Sequence, residues 1–371
     1  MLQRADHIVP FSFPKDHGQH NQYGTEWWYL SGRLSSDDET DWAYHFTIFR
    51  RAFAKWSNLA LVGLAIKVKS FRNIALFKRS FARMLENQDF RRIGVDGYVG
   101  HLSITNLKEK NFVFFERGGT SLLRVAGASQ DRLCVWVKGW KLEQQKGGGL
   151  HLAAERNDFA LNLDLLPMKP PVLNGNQGLS IKGPVPGSAS YHYSLAPLQT
   201  TGNLKWRGNT RQVVGASFMD REFGTSILPR SVRGWDWFGL ILDNNHEVMI
   251  SLIRHHDGTT AVTSSATAVF PDGTWKCVDS VDLHVEVLEF WTSLATGAHY
   301  PIHWIVRVEP INLELEISAL VKEHELVSAT STTINYWEGP VSVSGSMKGQ
   351  KVAGHGHVEL VGYADSAGGK F

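Results

Sequence analysis

Residues 235–253, WDWFGLILDNNHEVMISLI, contain two apolar runs separated by a short polar segment. The polar segment, residues 243–246, consists of side chains that favour turns, and each apolar run has the length of a β-strand. This stretch therefore predicts a β-hairpin. Apolar and polar side chains alternate in residues 159–165 and 311–317, which predicts two further strands with one buried face each.

The same pattern continues toward the carboxyl end, at Val341, Val343, Val352, Val358 and Leu360. The composition agrees with it, because 13 Trp and 35 Gly are typical of aromatic-rich strands separated by turns. Long helical patterns are scarce. We therefore predict an all-β protein whose antiparallel sheets close into barrels.

Charge, cysteine content and hydropathy exclude several classes of protein. The 38 Lys and Arg against 36 Asp and Glu give a net charge of +2, so no strong field attracts nucleic acid. The 2 Cys cannot build a disulfide framework. The longest apolar stretch, residues 59–66, is far shorter than the roughly 20 residues that span a bilayer. Residues 1–13 lack the apolar core of a signal peptide, so we expect a cytoplasmic protein.

One helical pattern interrupts the strands, between residues 67 and 93. Ile74, Phe77, Phe81 and Leu85 have the spacing that places them on one face of a helix. Basic side chains flank this face and dominate the opposite one. The segment is compatible with three roles: an ordinary helix packed on a barrel, a peripheral membrane contact, or a lid over a cavity.

The length of the chain predicts two domains, at roughly 150 residues per domain. Pro and Gly are concentrated in residues 167–215, which predicts a crossover between two barrels. We place the boundary near Gly202, with domains at residues 1–202 and 203–371.

Three segments combine carboxylates with aromatic side chains. In the first, Glu26 precedes Trp27, Trp28 and Tyr29. Burial among aromatic rings would raise the pKa of Glu26 and keep it protonated, so that it could donate a proton. Alternatively, Glu26 forms an ion pair or a cap while the rings fill the core.

In the second segment, Asp220 and Glu222 flank Arg221 on a predicted strand. Both carboxylates then lie on one face of the sheet and the guanidinium lies on the other. Two carboxylates so close cannot comfortably both ionise in a dry site, which predicts one neutral acid. The alternative is a charge network that ties strands together.

In the third segment, Asp236 lies between Trp235 and Trp237. Strand alternation places the carboxylate and the two indoles on opposite faces, and either face could line a cavity. Three more polar-tipped aromatic side chains could enter the same cavity, namely Tyr191, Tyr193 and Trp337.

The sequence lacks the usual metal and nucleotide motifs. Its close histidine pairs have neither a His-Glu-x-x-His helix nor a cysteine partner. There is no Gly-x-Gly-x-x-Gly segment, no phosphate-binding Lys-Ser/Thr loop and no Gly-x-Ser-x-Gly elbow. We therefore expect no metal and no cofactor, and a serine hydrolase is disfavoured.

Several segments along nearly the whole chain carry recognisable motifs in a fixed order. They are residues 13–18 (FPKDHG), 25–29 (TEWWY), 44–50 (YHFTIFR), 178–183 (GLSIKG), 188–194 (SASYHYS), 219–224 (MDREFG), 235–238 (WDWF), 336–339 (YWEG) and 358–363 (VELVGY). In this order they resemble the CrtC/AttH-like proteins, a lipocalin-like superfamily that includes carotenoid 1,2-hydratases.

This resemblance implies two consecutive lipocalin-like antiparallel β-barrels with a ligand cavity at or between them. It also implies a long, apolar, unsaturated substrate, because members hydrate terminal isoprenoid double bonds and related proteins guide cyclisations and cycloadditions of polyenes. Many members begin with a secretion signal, and the lack of one here favours an intracellular biosynthetic role.

The sequence departs from the family in two places. Arg221 and Phe223 stand where the family often has His and Trp. A guanidinium stays charged and cannot transfer a proton as an imidazole does, which favours cyclisation over simple hydration. Residues 52–97 also look like an insertion, and they contain the basic amphipathic segment.

Three functions remain open from the sequence. The first is a metal-free enzyme in which Asp220, Glu222, Asp236 or Glu26 protonates an alkene of an isoprenoid or polyene. The resulting cation would lie against aromatic faces until water or an internal group captures it. The residues expected to contact the substrate are Trp27, Trp28, Tyr29, Tyr191, Tyr193, Arg221, Phe223, Trp235, Trp237 and Trp337.

The second function is a pericyclase, which needs a shaped cavity and one polarising donor such as Arg221, Tyr191 or Tyr193. The third is a non-catalytic carrier of a lipid or pigment, because small barrels often hold one ligand. All three imply a lipophilic small molecule as the partner. They imply no nucleic acid, and residues 67–93 are the expected membrane contact if there is one.

Overall fold

The computed structural model describes residues 2–53, 95–225, 227–328 and 334–368. Within these ranges the chain is built of antiparallel strands with a few short 3-10 helices, as the alternation predicts. The basic amphipathic segment predicted at residues 67–93 lies outside the described residues. No helix in the described ranges is long and apolar enough to cross a membrane.

The first sheet contains thirteen strands and includes the amino-terminal part of the chain. They are β1 (Thr25–Ser36), β2 (Asp41–Phe53), β3 (Val95–Asn106), β4 (Asn111–Thr120), β5 (Ala126–Ala128), β6 (Cys134–Val137), β7 (Trp140–Gln144), β8 (Leu150–Arg156), β9 (Phe159–Pro167), β10 (Val172–Leu173), β11 (Leu179–Ile181), β12 (Ala189–Trp206) and β13 (Asn209–Gly224). Their order is β4-β3-β2-β1-β13-β12-β9-β8-β7-β6-β5, with β10 and β11 paired to β12.

The second sheet contains ten strands. They are β14 (Val232–Leu242), β15 (Glu247–His255), β16 (Ser265–Val269), β17 (Trp275–Asp279), β18 (Leu283–Thr292), β19 (His299–Val308), β20 (Leu313–Ala319), β21 (Glu325–Leu326), β22 (Tyr336–Met347) and β23 (Gln350–Val361). Their order is β17-β16-β15-β14-β23-β22-β20-β19-β18, with β21 paired to β22. The 3-10 helices among the described residues are Lys15–His17, Ser121–Leu123, Ser280–Asp282 and Glu309–Ile311.

The predicted strands are confirmed by pairing and burial. Strands β14 and β15 form the hairpin predicted from residues 235–253, with Trp235 opposite Ile253. In β9 the leucines at alternate positions are buried while Asn162 and Asp164 are exposed, because successive side chains of a strand point to opposite faces. The two antiparallel, barrel-like sheets agree with the fold that the resemblance implies.

The connection between the sheets lies later in the chain than the boundary predicted near Gly202. Gly202 lies inside β12, where it pairs with Leu163 of β9 and Val213 of β13. Its φ is 149°, and a Cβ at this position would collide with the carbonyl oxygen of Asn162. This glycine therefore permits close strand packing, and the chain passes to the second sheet only after Gly224.

Each sheet encloses its own apolar core. Trp28, Trp42 and Trp140 are fully buried in the first core, and Trp304 and Trp337 are buried in the second. The outer faces of the two sheets pack against each other, and polar side chains bridge them. The hydroxyl of Tyr29 in β1 donates to Glu338 in β22, and His101 in β3 bonds the hydroxyl of Tyr336. The candidate site lies in this interface.

Candidate active site between the two sheets

A cavity lies between the outer faces of the two sheets. Its volume is about 50 Å³. A single water needs roughly 10–15 Å³, so the interior accommodates a few waters or a narrow apolar tail. The lining residues are Trp27, Tyr29, Thr47, Phe49, Lys182, His192, Asp220, Glu222, Ile227, Leu228, Trp235, Trp237, Ser251, Ile253 and Glu359.

The period-two geometry of three strands decides which side chains reach the cavity. In β1, Trp27 and Tyr29 line it, whereas Trp28 packs inside the first barrel. In β14, Trp235 and Trp237 line it, whereas Asp236 faces the interior of the second barrel. The sequence left open which face of residues 235–237 lines the cavity, and the structure shows that it is the face of the two indoles.

Strand β13 brings both predicted carboxylates to the cavity. Asp220 and Glu222 line it, and Arg221 points the other way, as the sequence predicts. His192 of the neighbouring strand β12 lies between the carboxylates, with Nε2 3.2 Å from Asp220 Oδ1 and Nδ1 3.9 Å from Glu222 Oε2. The ammonium of Lys182 lies 3.4 Å from Glu222 Oε1.

The neighbouring side chains determine the charge of Glu222. Burial acts to raise its pKa, but Lys182 and His192, with a hydrogen bond from the Ser190 hydroxyl, lower the pKa below its ordinary value. The hydroxyl of Ser194 donates to Asp220 in the same way. The neutral acid predicted within this pair is therefore not Glu222, because the Lys182 ammonium and neighbouring hydrogen-bonding groups compensate its charge.

The neutral acid in the cavity is Glu359 of β23. Burial, reinforced by the carboxylates of Glu222 and Asp220, raises its pKa to about 7, although Trp235 and Lys182 act in the opposite direction. The indole Nε1 of Trp235 donates to Glu359 Oε2 at 2.8 Å. Glu359 was not among the predicted site residues. The available signal was alternation: Val358 and Leu360 point into the second barrel, so Glu359 between them faces the opposite side of the sheet.

A second neutral carboxyl lies behind the cavity wall. Glu338 of β22 is directly opposite Glu359 in the strand register. Burial and the Glu359 carboxylate raise the pKa of Glu338 well above its ordinary value. Its Oε1 accepts the hydroxyl of Tyr29 at 2.8 Å. Tyr29, which lines the cavity, therefore contacts an un-ionised acid from the opposite sheet.

Glu26 lies elsewhere, in the buried interior of the first barrel. Although burial acts to raise its pKa, Arg221, His20 and Arg50 lower it to about 2. Arg50 Nη1 is 2.7 Å from Glu26 Oε1, and Arg221 contacts Oε2. The expectation that aromatic neighbours keep Glu26 protonated is wrong, because two guanidinium groups reach it from other strands. The alternative prediction, an ion pair, is what the structure shows.

Asp236 also lies away from the cavity, in the second barrel. Its Oδ1 accepts from Arg254 Nε at 2.8 Å, and its Oδ2 accepts the Tyr363 hydroxyl at 3.0 Å. Burial raises its pKa, against the opposing effects of Arg254 and Tyr363. Strand alternation therefore separates this acid from Trp235 and Trp237.

Six of the predicted substrate contacts do not line the cavity. Arg221 is buried above the ring of Trp28, 4.0 Å from its centroid. Tyr191, Tyr193 and Phe223 pack around Phe11 on the opposite face of β12 and β13. Trp337 fills the second barrel and donates to the Lys322 carbonyl oxygen. Trp28, Arg221, Tyr191, Tyr193, Phe223 and Trp337 therefore serve as core residues.

Strand alternation explains this division. Every misplaced residue in β1, β12 and β13 is one position away from a residue that lines the cavity. His192, which the sequence indicates only as part of the aromatic segment at residues 191–193, lies between Tyr191 and Tyr193 and lines the cavity. Among the described residues, no group of three or more His, Cys, Asp and Glu side chains is arranged to hold a metal ion.

Comparisons with known proteins agree with this fold. Kievitone hydratase of Fusarium solani subsp. phaseoli is 24% identical over 201 residues, which are 51% of this chain and 53% of that protein. The match thus spans about half the length of that curated relative. An AttH structure from Nitrosomonas europaea has a TM-score of 0.80 at 25% identity and covers 98% of this chain and 100% of its own.

Kievitone hydratase from Nectria haematococca has a TM-score of 0.68 at 15% identity, with coverage of 98% of this chain and 97% of its own. At 15% identity this similarity is evidence for a shared fold alone. The model of the AttH-like family matches residues 4–363, nearly the whole length. The chain therefore belongs to the AttH-like family.

Proposed function

We propose that this chain protonates an alkene of an apolar substrate and that water then captures the cation, as in a hydratase. The observation that carries the proposal is the Glu359 carboxyl, with a pKa of about 7, in an aromatic-walled cavity. The similarity to kievitone hydratase supports the same class of reaction. Capture by an internal alkene or hydroxyl, which gives a cyclase, is the alternative outcome of the same first step.

Glu359 supplies the proton. A general acid works best when its pKa is close to the working pH, because much of it is then protonated and it still gives up the proton. The acidic proton moves from Glu359 to the less substituted carbon of a trisubstituted alkene. This transfer leaves a tertiary cation on the substrate and a carboxylate on Glu359.

The aromatic walls then stabilise the cation. Trp235 and Trp237 lie on the same sheet as Glu359, and Trp27 and Phe49 line the cavity from the first sheet. Aromatic faces attract a desolvated cation by roughly 2 kcal/mol or more. The Glu222 carboxylate adds negative charge to the cavity. The limited space excludes bulk water from the cation.

His192 and Asp220 are placed to hold the attacking water. Their Nε2 and Oδ1 atoms are 3.2 Å apart, and both residues line the cavity. The water oxygen forms the new C–O bond, and one of its protons passes to this pair and then to solvent. Solvent returns a proton to Glu359, which restores both groups. Arg221 faces away from the cavity, so its presence in place of a family histidine does not argue against hydration here.

The test is incubation of the full chain with kievitone, or with farnesol as a simple isoprenoid alkene, in deuterium oxide. Mass spectrometry should find an alcohol, or a cyclised isomer, with one deuterium bound to carbon. The Glu359→Gln variant should form about a thousandfold less product, since it has no acidic proton. Glu323→Gln, at an exposed position, is the matched control and should keep full turnover.

Three results would count against the proposal. Full turnover by Glu359→Gln would remove the role of this acid. A cyclised product without carbon-bound deuterium would indicate a pericyclase, for which Lys182 rather than Arg221, Tyr191 or Tyr193 is the polarising group in the cavity. Recovery of both compounds unchanged but bound in a one-to-one ratio would indicate a carrier.

A further inference from the structure

Strands β14 and β15, which line the cavity between the sheets, also line a second cavity on their other face. On β14 and β15, Asp236, Leu252 and Arg254 point into the interior of the second barrel, away from Trp235 and Trp237. This interior offers about 960 Å³ to the centres of water-sized molecules, compared with about 50 Å³ between the sheets. Small-molecule sites in proteins usually have volumes of about 300–1,000 Å³.

One wall of this cavity is formed by β18, an end strand of the second sheet. Strands β17 and β18 are the two ends of the second sheet, and neither pairs with the other. Three apolar side chains at this edge line the cavity and are also exposed: Val262 at 87%, Phe290 at 46% and Val287 at 37%. Exposed apolar side chains around a hollow are typical of a ligand-binding mouth.

The charged groups of this cavity neutralise one another. Arg254 pairs with Asp236 in the wall, and its guanidinium stacks 3.8 Å from the ring centroid of Tyr363. At the mouth, Arg307 pairs with Glu314 at 2.6 Å and lies 3.9 Å from Glu286. Among the residues that line the cavity, Asp236 and Glu286 balance Arg254 and Arg307, so the wall does not favour an ionic ligand.

Arg254 is a polar group of the wall that is able to bind an oxygen atom. Arg254 donates from Nε to Asp236 and from Nη2 to the Val361 carbonyl oxygen. Its Nη1 has no hydrogen-bond partner within the part of the chain that the structure describes. Leu283, Val285 and Trp304 supply apolar surface around it.

We propose that the second barrel is a ligand site, separate from the cavity between the sheets, for a neutral and largely apolar molecule that carries a carbonyl or hydroxyl oxygen. The apolar walls bury its carbon skeleton, and the guanidinium of Arg254 donates a hydrogen bond to its oxygen. This site does not depend on the reaction proposed for Glu359, because the two cavities lie on opposite faces of β14.

The experiment is a fluorescence titration of the full chain with Nile red, a neutral apolar dye with a carbonyl oxygen. Val285→Trp fills the hollow and should weaken binding about tenfold. Leu288→Trp adds the same bulk on the same strand at an exposed position outside the cavity, and binding should stay within about twofold. Ile253→Trp, which narrows the cavity between the sheets, should also leave Nile red binding intact.

Circular dichroism establishes that each variant folds. If Val285→Trp does not fold, Val287→Trp at the mouth of the cavity is used in its place. The proposal is overturned if neither Val285→Trp nor Val287→Trp weakens Nile red binding, or if Ile253→Trp weakens Nile red binding as strongly as these variants do. It is also overturned if 1-anilinonaphthalene-8-sulfonate, an anion, competes with Nile red at equal affinity. A dimer in sedimentation that Val287→Trp dissociates would show that a second copy covers this edge instead.

Discussion

Glu26 in the first barrel and Glu359 between the sheets are both enclosed by protein, yet their pKa values shift in opposite directions. The pKa of Glu26 falls to about 2, whereas that of Glu359 rises to about 7. Glu26 contacts two guanidinium groups, of Arg50 and Arg221. Glu359 accepts a hydrogen bond from one indole N–H, and the nearby carboxylates of Glu222 and Asp220 raise its pKa. Burial alone therefore does not decide protonation; the nearby compensating charge does.

The two regions also serve different purposes. The Glu26 network joins β1, β2 and β13 inside a filled barrel, where each charge has a partner. Within the described residues Glu359 forms no ion pair, and it lies beside the cavity with only the more distant Lys182 to oppose its raised pKa. Structures tolerate such an arrangement at sites where the neutral acid is useful. If neighbouring positive charge causes the opposite pKa shifts of Glu26 and Glu359, changes to either environment should have measurable effects.

The largest effect is expected from Glu26→Gln. Arg221 is fully buried and would lose its carboxylate, so the free energy of unfolding should fall by about 3–5 kcal/mol. Urea unfolding at neutral pH measures the change. Glu155→Gln is the control, because Glu155 forms an exposed pair with Lys205 and should cost about 0.5 kcal/mol or less. Equal stability of the two variants would show that the network contributes nothing.

The next effect concerns turnover as a function of pH. Only the neutral form of Glu359 donates a proton, so kcat should fall about tenfold per pH unit above its pKa of about 7. The profile is measured with the substrate that the deuterium experiment identifies. A flat profile well above that pKa would mean that another group supplies the proton.

A smaller effect is expected on stability, with opposite signs for the two glutamates. The folded pKa of Glu359 is raised above its ordinary value of 4.5, so its contribution is fully present below that value and is lost as pH rises through about 7. Glu359→Gln should therefore raise the free energy of unfolding by about 1–2 kcal/mol in mildly alkaline buffer. Partial exposure of the side chain to the cavity moderates this gain.

Glu26 should show the reverse dependence. Its folded pKa is depressed, so its contribution is present above 4.5 and is lost as pH falls from there through about 2. Urea unfolding of wild type and both variants across this range separates the two residues. The comparison fails if Glu359→Gln is destabilised more at alkaline than at acidic pH.

The smallest effect is expected from Trp235→Phe. The indole N–H stabilises the ionised form of Glu359, so its loss should raise the pKa of Glu359, and the midpoint of the kcat profile, by about one unit. Trp237→Phe is the matched control, because Trp237 lines the same cavity but packs on Tyr29 and Phe218. A midpoint that moves equally in both variants would assign the shift to cavity shape.

Strand alternation made part of the site predictable. It placed Asp220 and Glu222 on one face with Arg221 on the other, and it predicted the hairpin that carries Trp235 and Trp237. It could not show which face of each strand meets the cavity. Tyr191 and Tyr193 were therefore expected at the site, although His192 between them lines it.

The sequence by itself determined the all-β class, the positions of the strands and the sets of side chains that share a face, because these follow from a period of two along the chain. Only the tertiary structure decided which acid is neutral. Glu26 is 195 residues from Arg221 and 24 from Arg50, and Glu359 comes from a different sheet than Asp220 and Glu222. A pKa depends on distances through space between charges, which proximity along the chain does not encode.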